Sequence, residues 1–175
     1  MTKKLIRMIA ELLCIGVFIL ADQITKIWAV DTLKEGRVIE LIPGVLQFNY
    51  LENQGAAFGI LQNQQTFFVI AGAVILVLVM YVLFVTPHER KYRILNVLLI
   101  MIASGAIGNM IDRVNLGYVV DFIYVSAINF PIFNVADCYV TVSTILLALV
   151  ILFYYQEEDL AVFGFKKKEN QDGTK

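Results

Sequence analysis

The chain reads as a mainly α-helical, polytopic membrane protein with four transmembrane helices and a small extracytoplasmic sheet. Three observations predict it. Of the 175 residues, 59% are apolar and only 17% are charged, against roughly 25% charged in soluble domains. The mean hydropathy is +0.73, more apolar surface than a soluble fold of this size can hide. Four segments are long enough to cross a hydrocarbon core about 30 Å thick, which takes about 20 residues.

The first span runs over about residues 8–30 and is interrupted by Glu11, Asp22 and Lys26. Lys3, Lys4 and Arg7 ahead of it have the look of a secretory leader. The apolar stretch runs on past Asp22 and Trp28, and Ile19-Leu20-Ala21 lacks the small pair that cleavage needs, so a retained span is expected. The second span, 67–85, carries no charge and is closed by Thr86-Pro87. The third covers 94–111, after a tight turn from Pro87 to Arg93, and the fourth covers 134–155. Residues 1–160 are expected to form one membrane-embedded domain, followed by a charged cytoplasmic tail, 161–175.

Basic residues set the orientation. Lys3, Lys4 and Arg7 precede span one; Arg90, Lys91 and Arg93 separate spans two and three; Lys166, Lys167 and Lys168 follow span four. With four spans these regions share one side, so both termini are expected in the cytoplasm, with residues 31–66 and 112–133 outside. In the first outer loop Leu46, Phe48 and Tyr50 alternate with Gln47 and Asn49, the period of a half-buried strand. Pro43-Gly44 marks a turn before it, and Val38-Ile39 can supply a partner strand.

Several functional classes fall away. A net charge of −1 without a basic stripe argues against nucleic acid as a partner. Cys14 and Cys138 are expected at opposite depths, which makes a disulfide between them improbable. The single His88 cannot build a zinc site, and neither metal nor cofactor is expected. Ser126, Ser143 and Thr144 have no nearby His or positioned Lys to activate a hydroxyl.

The polar residues converge instead. Asp22 lies 14 residues past Met8, about 21 Å along a helix, and so in the outer part of span one. Asp112 and Arg113 end span three, Asp121 lies in the outer loop, and Asp137 opens span four. Asn53, Asn109 and Asn134 fall at the same level. Polar groups in spans must find partners or reach water, so their gathering at one depth points to function. Each also has a structural reading. Asp22 and Lys26 have the i, i+4 spacing of a helical ion pair. Asn134 with Asp137 has the spacing of a capping box. Asp112-Arg113 fits a pair snorkelling to the interface. Asp121 is hardest to explain away, because it breaks the otherwise apolar GYVVDFIYV.

Two nearby aspartates cannot both ionise cheaply; one keeps a proton while the other acts as base toward water. Asp121 and Asp137 stand 16 residues apart across a loop that must return to span four, which permits their side chains to meet. A proton- or ion-coupled carrier using Asp22, Asp121 and Asp137 would place its site near mid-bilayer between repeated halves, whereas these acids gather at one edge. A non-catalytic scaffold would leave Asp121 unexplained.

At these residues the chain resembles the lipoprotein signal peptidases (signal peptidase II). The ordered motifs are ADQITK at 21–26, ENQGAAFG at 52–59, SGAIGNMIDR at 104–113, VVDFI at 119–123 and FNVAD at 133–137. Ser104 departs from the family's more usual glycine. The resemblance implies four membrane helices, an outer β-cradle and a short helix on the outer surface. It implies an aspartic endopeptidase of the bacterial cytoplasmic membrane, acting at its outer face. Its substrates would be prolipoproteins, cut before a diacylglyceryl-modified cysteine whose lipid stays in the bilayer. The family's catalytic pair falls on Asp121 and Asp137. Its supporting or substrate-binding residues fall on Asp22, Lys26, Asn53, Gly55, Asn109, Asp112, Arg113 and Asn134, with asparagines holding substrate backbone, Arg113 gripping a carbonyl and Asp22 with Lys26 holding span one.

Overall fold

The structure is a computed structural model and describes residues 2–55 and 64–164. Residues 56–59 of the ENQGAAFG stretch and the three tail lysines at 166–168 lie outside the described residues.

Apolar runs without internal proline form long helices. The chain order is α1 (Thr2–Leu33), β1 (Ile39–Ile42), β2 (Leu46–Asn53), α2 (Gln65–Val85), α3 (Arg93–Leu116), β3 (Val119–Val125), α4 (Val135–Phe153) and the short α5 (Glu157–Leu160). Among the described residues, three helical segments are long and apolar enough to cross a membrane: Gln65–Val85, Arg90–Leu116 and Val135–Phe153. Residues 8–30, the expected first span, are helical throughout within α1. That helix buries a single stripe, Ile15, Asp22, Lys26, Ala29 and Leu33, at helical spacing, while Leu12, Leu13, Val17, Leu20 and Ile24 stay exposed.

Helix α3 is the hub, packed by α1, α2 and α4. Small residues make the close approach possible. A Cβ on Gly105 would meet the Ala136 carbonyl oxygen at 2.5 Å and Val140 at 2.7 Å, so glycine here sets the α3–α4 distance. Ser104, the departure from the family pattern, is fully buried, and its hydroxyl donates to the Ile100 carbonyl at 2.7 Å. The helix therefore absorbs the polar atom itself. Ile15, Val79, Leu83, Leu95, Leu99 and Ala103 build the core among the helices.

The sheet has order β1-β2-β3, antiparallel throughout. The expected alternating strand is β2, and the turn at Pro43-Gly44 is present with Gly44 at φ 68°, a conformation that favours glycine. The third strand, β3, lies where an outer loop was expected. Val120 and Phe122 drive it, pointing into a second core with Ala29, Leu33 and Phe48, and Trp28, Phe48 and Phe122 meet edge to face. A β-bulge between Phe48 and Leu51 shifts the β2–β3 register.

At the far end of the bundle the chain stays folded beyond α4. Helix α5 and a 3₁₀ turn, Ala161–Phe163, fold back under the α2–α3 connection. Tyr92 stacks on Tyr155 at 5.6 Å and meets Phe163 edge-on, its hydroxyl donates to the Asp159 carbonyl at 3.0 Å, and Lys91 pairs with Asp159. Leu160 and Phe163 pack against the core of the helices. On the sheet side, the only short helical turn among the described residues is the 3₁₀ turn Ser126–Ile128.

Because Gly105 faces backbone rather than a flexible tip, Gly105→Ala is expected to destabilise the folded protein by about 1–3 kcal/mol, the usual range for overpacking. Thermal unfolding in detergent measures this, with Gly16→Ala, which meets nothing within 4 Å, as the control.

Candidate active site

The 16-residue gap between Asp121 and Asp137 closes through a hairpin-like return. After β3 the chain turns at Asn129, which sits in the left-handed region at φ 49°. Phe133 then pairs with Ile123, exchanging backbone bonds of 3.0 and 2.8 Å. That pairing delivers Asn134 beside Asp121, and its Nδ2 donates to Asp121 Oδ1 at 2.7 Å. Asn134 is also the N-cap of α4. Its Oδ1 accepts from the Asp137 N–H at 2.9 Å, and Asp137 Oδ2 accepts from the Asn134 N–H at 3.1 Å, a complete capping box. One asparagine thus joins both carboxylates.

Two further asparagines complete the ring. Asn53 pairs across the sheet with Val119, two residues before Asp121 on the same face, and its Nδ2 reaches Asp121 Oδ2 at 2.8 Å. Asn109 Nδ2 donates to Asp137 Oδ1 at 2.8 Å. The orientation of each amide is forced, because its oxygen faces a group that can only donate. These are the Gly55 N–H for Asn53, the Asp137 N–H for Asn134, and the Lys26 ammonium for Asn109. All three NH₂ groups therefore point to a carboxylate.

Lys26 is 2% exposed. Its ammonium lies 3.0 Å from Asp22 Oδ2, 3.0 Å from Asp112 Oδ2 and 2.9 Å from Asn109 Oδ1, so three donors meet three acceptors. The expected Asp22–Lys26 pair is present, enlarged by Asp112. Asp112 does not form the expected interface pair with Arg113; it turns inward to Lys26 and accepts from the Val120 N–H at 3.1 Å. Burial explains the difference, since an ion this deep needs a charged partner. Gln23, which the sequence did not single out, donates to both Asp22 and Asp112 at 3.1 Å. Its place inside ADQITK, one residue after Asp22, was the available signal.

Arg113 is left facing a cavity of about 540 Å³ whose lining includes Asn53, Asn109, Asp121 and Asp137. It lies 4.8 Å from the centre of the Phe68 ring and makes only long bonds, 3.3 Å to the Gly55 carbonyl and 3.4 Å to the Asn109 carbonyl. Its Nε is buried without a partner among the described residues. Unused donors in a cleft suit an arriving acceptor. Phe130, Pro131, Ile132 and Phe133 form an apolar wall, and a narrower groove of about 260 Å³ runs from Asn109, Arg113 and Asp137 along Ala71, Gly72, Gly105 and Ala106. Phe68 and the Pro131 wall were also not anticipated, being indistinguishable in sequence from lipid-facing residues.

Asp121, only 1% exposed, is pushed up to about 7, first by burial and then by the negative charge of Asp137. Hydrogen bonds from Asn53 and Asn134 and the charge of Lys26 pull the other way. Among the described residues, no group of three or more His, Cys, Asp or Glu side chains is placed to hold a metal ion.

A family model described as signal peptidase (SPase) II matches residues 14–153. The chain is 45% identical over 138 residues to the lipoprotein signal peptidase of Streptococcus pyogenes serotype M5 (strain Manfredo), covering 79% of this chain and 88% of that protein. The enzyme of the same name from serotype M3 (strain SSI-1) is 44% identical over the same length. Two solved structures described as bacterial membrane enzymes superpose with TM-scores of 0.71 and 0.72, at 33% and 36% identity. They cover 91% and 83% of this chain and are themselves covered over 93% and 94%. The chain belongs to the signal peptidase II family and is a peptidase.

Proposed function

We propose that the protein is an aspartic endopeptidase of the bacterial membrane that removes signal peptides from prolipoproteins, with Asp121 and Asp137 as the catalytic pair. The observation that carries this reading is the junction at Asn134, which holds both carboxylates on one cavity.

Ionised Asp137 takes a proton from water as the water oxygen adds to the scissile carbonyl carbon. Protonated Asp121 gives its proton to the carbonyl oxygen, so the negative charge moves from one carboxylate to the other. As the C–N bond breaks, Asp137 passes its proton to the departing amine and Asp121 recovers one from a hydroxyl of the adduct. Both groups end as they began. Arg113, with its unused donors, grips a substrate carbonyl, and Asn53 and Asn109 hold the acids in register.

In the membrane, α1 serves as a fourth span, both termini are cytoplasmic, and the sheet with the dyad faces outward as a cradle. The basic residues at 3, 4, 7, 90, 91 and 93 and the exposed apolar flank of α1 support this topology. The apolar stem of the signal peptide lies in the groove along Ala71, Gly72, Gly105 and Ala106. The lipid-modified cysteine is received against the wall of residues 130–133, with its acyl chains left in the bilayer. Orientation by lipid and helix removes much of the entropic barrier.

Asp121→Asn and Asp137→Asn are each expected to reduce cleavage of a lipid-modified prolipopeptide by about 10²–10⁴-fold or more, the range for loss of a general acid or base, in a protein that still folds and unfolds cooperatively. Near-normal turnover in either variant refutes the pair. Asp121 acts in its protonated form and loses the proton as pH rises through about 7. Hydrolysis is therefore expected to decline above that pH and to hold below it until the base is protonated. A rate that rises through pH 8 reverses the assignment. A cysteine introduced by Val45→Cys is expected to react with an impermeant thiol reagent added outside intact cells, and labelling only from the cytoplasm overturns the topology.

A further inference from the structure

Neither dyad aspartate is gripped by a charge directly, yet the residue just before each one is. The peptide N–H of Val120, the neighbour of Asp121, donates to Asp112 Oδ2 at 3.1 Å. The peptide N–H of Ala136, the neighbour of Asp137, donates to Asp22 Oδ1 at 2.9 Å. Asp22 and Asp112 come from different helices, α1 and α3, and are tied together twice. Lys26 lies 3.0 Å from each, and Gln23 Nε2 lies 3.1 Å from each. The same ammonium orients Asn109 toward Asp137. Gly108 makes room for this group, since a Cβ there would meet Asp22 Oδ2 at 2.5 Å.

Helix packing alone needs no such arrangement. A lone i, i+4 pair within α1 would serve to neutralise Lys26, and the two carboxylates would not then need to end on the two peptides beside the dyad. We propose that Asp22, Gln23, Lys26 and Asp112 form a positioning frame that sets the separation and aim of Asp121 and Asp137 by holding the backbone one residue ahead of each. These four are positioning residues; none touches the cavity that receives substrate. The proposal rests on the reading of Asp121 and Asp137 as the reacting pair.

The frame makes a distinctive demand on kinetics. Misplacing the dyad by a fraction of an ångström affects the chemical step rather than the apolar grip on a lipid-bearing substrate. The charge of Lys26 also holds Asp121 down against burial and Asp137, while Asn53 and Asn134 act in the same sense as Lys26.

The test uses the full-length protein in lipid, with a lipid-modified prolipopeptide as substrate. Lys26→Met is expected to lower kcat at least tenfold with KM within about twofold, and to move the alkaline fall of the rate to higher pH. Wild-type kcat and an unmoved alkaline fall in a folded Lys26→Met protein overturn the frame, even when its melting temperature drops. Should Lys26→Met fail to fold, Gln23→Met keeps every charge and removes one of the two ties. Its kcat is expected to fall several-fold with KM retained, and an unchanged kcat overturns the frame. The dyad itself is judged separately. Turnover by Asp121→Asn or Asp137→Asn removes the dyad reading, whereas inactive aspartate variants beside a fully active Lys26→Met remove the frame alone.

Discussion

A buried ammonium is tolerable only when every proton on it has an acceptor, and Lys26 meets that condition with two carboxylates and an amide oxygen. Much of the molecule is arranged around this requirement. It draws α1 and α3 together at one level and obliges Gly108 to stay small. It also turns Asp112 away from the surface and leaves Arg113, its chain neighbour, facing the cavity. The apolar packing of the helices is permissive by comparison, since lipid is as apolar as the side chains that face it.

The cavity combines properties that rarely sit together. Asp121 is nearly dry and Asp137 is partly buried, yet the cavity opens beside broad apolar surfaces. Dryness raises the proton affinity of Asp121, and the ring of asparagines keeps that rise within reach of neutral pH. Each asparagine is locked by a donor on its oxygen, so the amides are fixed dipoles rather than adaptable contacts. For the mechanism proposed for Asp121 and Asp137, fixed dipoles of this kind would keep reorganisation small as charge moves between the carboxylates.

Much of this was legible in the sequence, and for physical reasons. Long uncharged runs such as 67–85 have few alternatives to a helix, and the Asn134–Asp137 spacing announced the cap that the structure contains. The strand at 46–53 showed its period. Less legible was β3, because its first half, Val119–Phe122, is buried on both faces and lacks alternation, apart from the acid it carries. Asp112 pairs with Lys26 rather than snorkelling beside Arg113, because successive helical residues point in different directions. The return of the chain under Tyr92 depends on long-range stacking with Tyr155 and Phe163, which no local pattern encodes. Gln23 was overlooked because an uncharged amide in an apolar helix gives no hint of what it bridges.

The four-residue spacing of Asp22 and Lys26 has a bearing on biogenesis. Ribosomal synthesis delivers these two residues long before Asp112, Asn109 or Ala136 exists. With α1 as the fourth span proposed above, a helix entering the translocon at that stage would carry its own counter-ion, so the nascent segment would be locally neutral and meet a lower barrier to partitioning into lipid. When the later helices arrive, the same ammonium is already in place to recruit them.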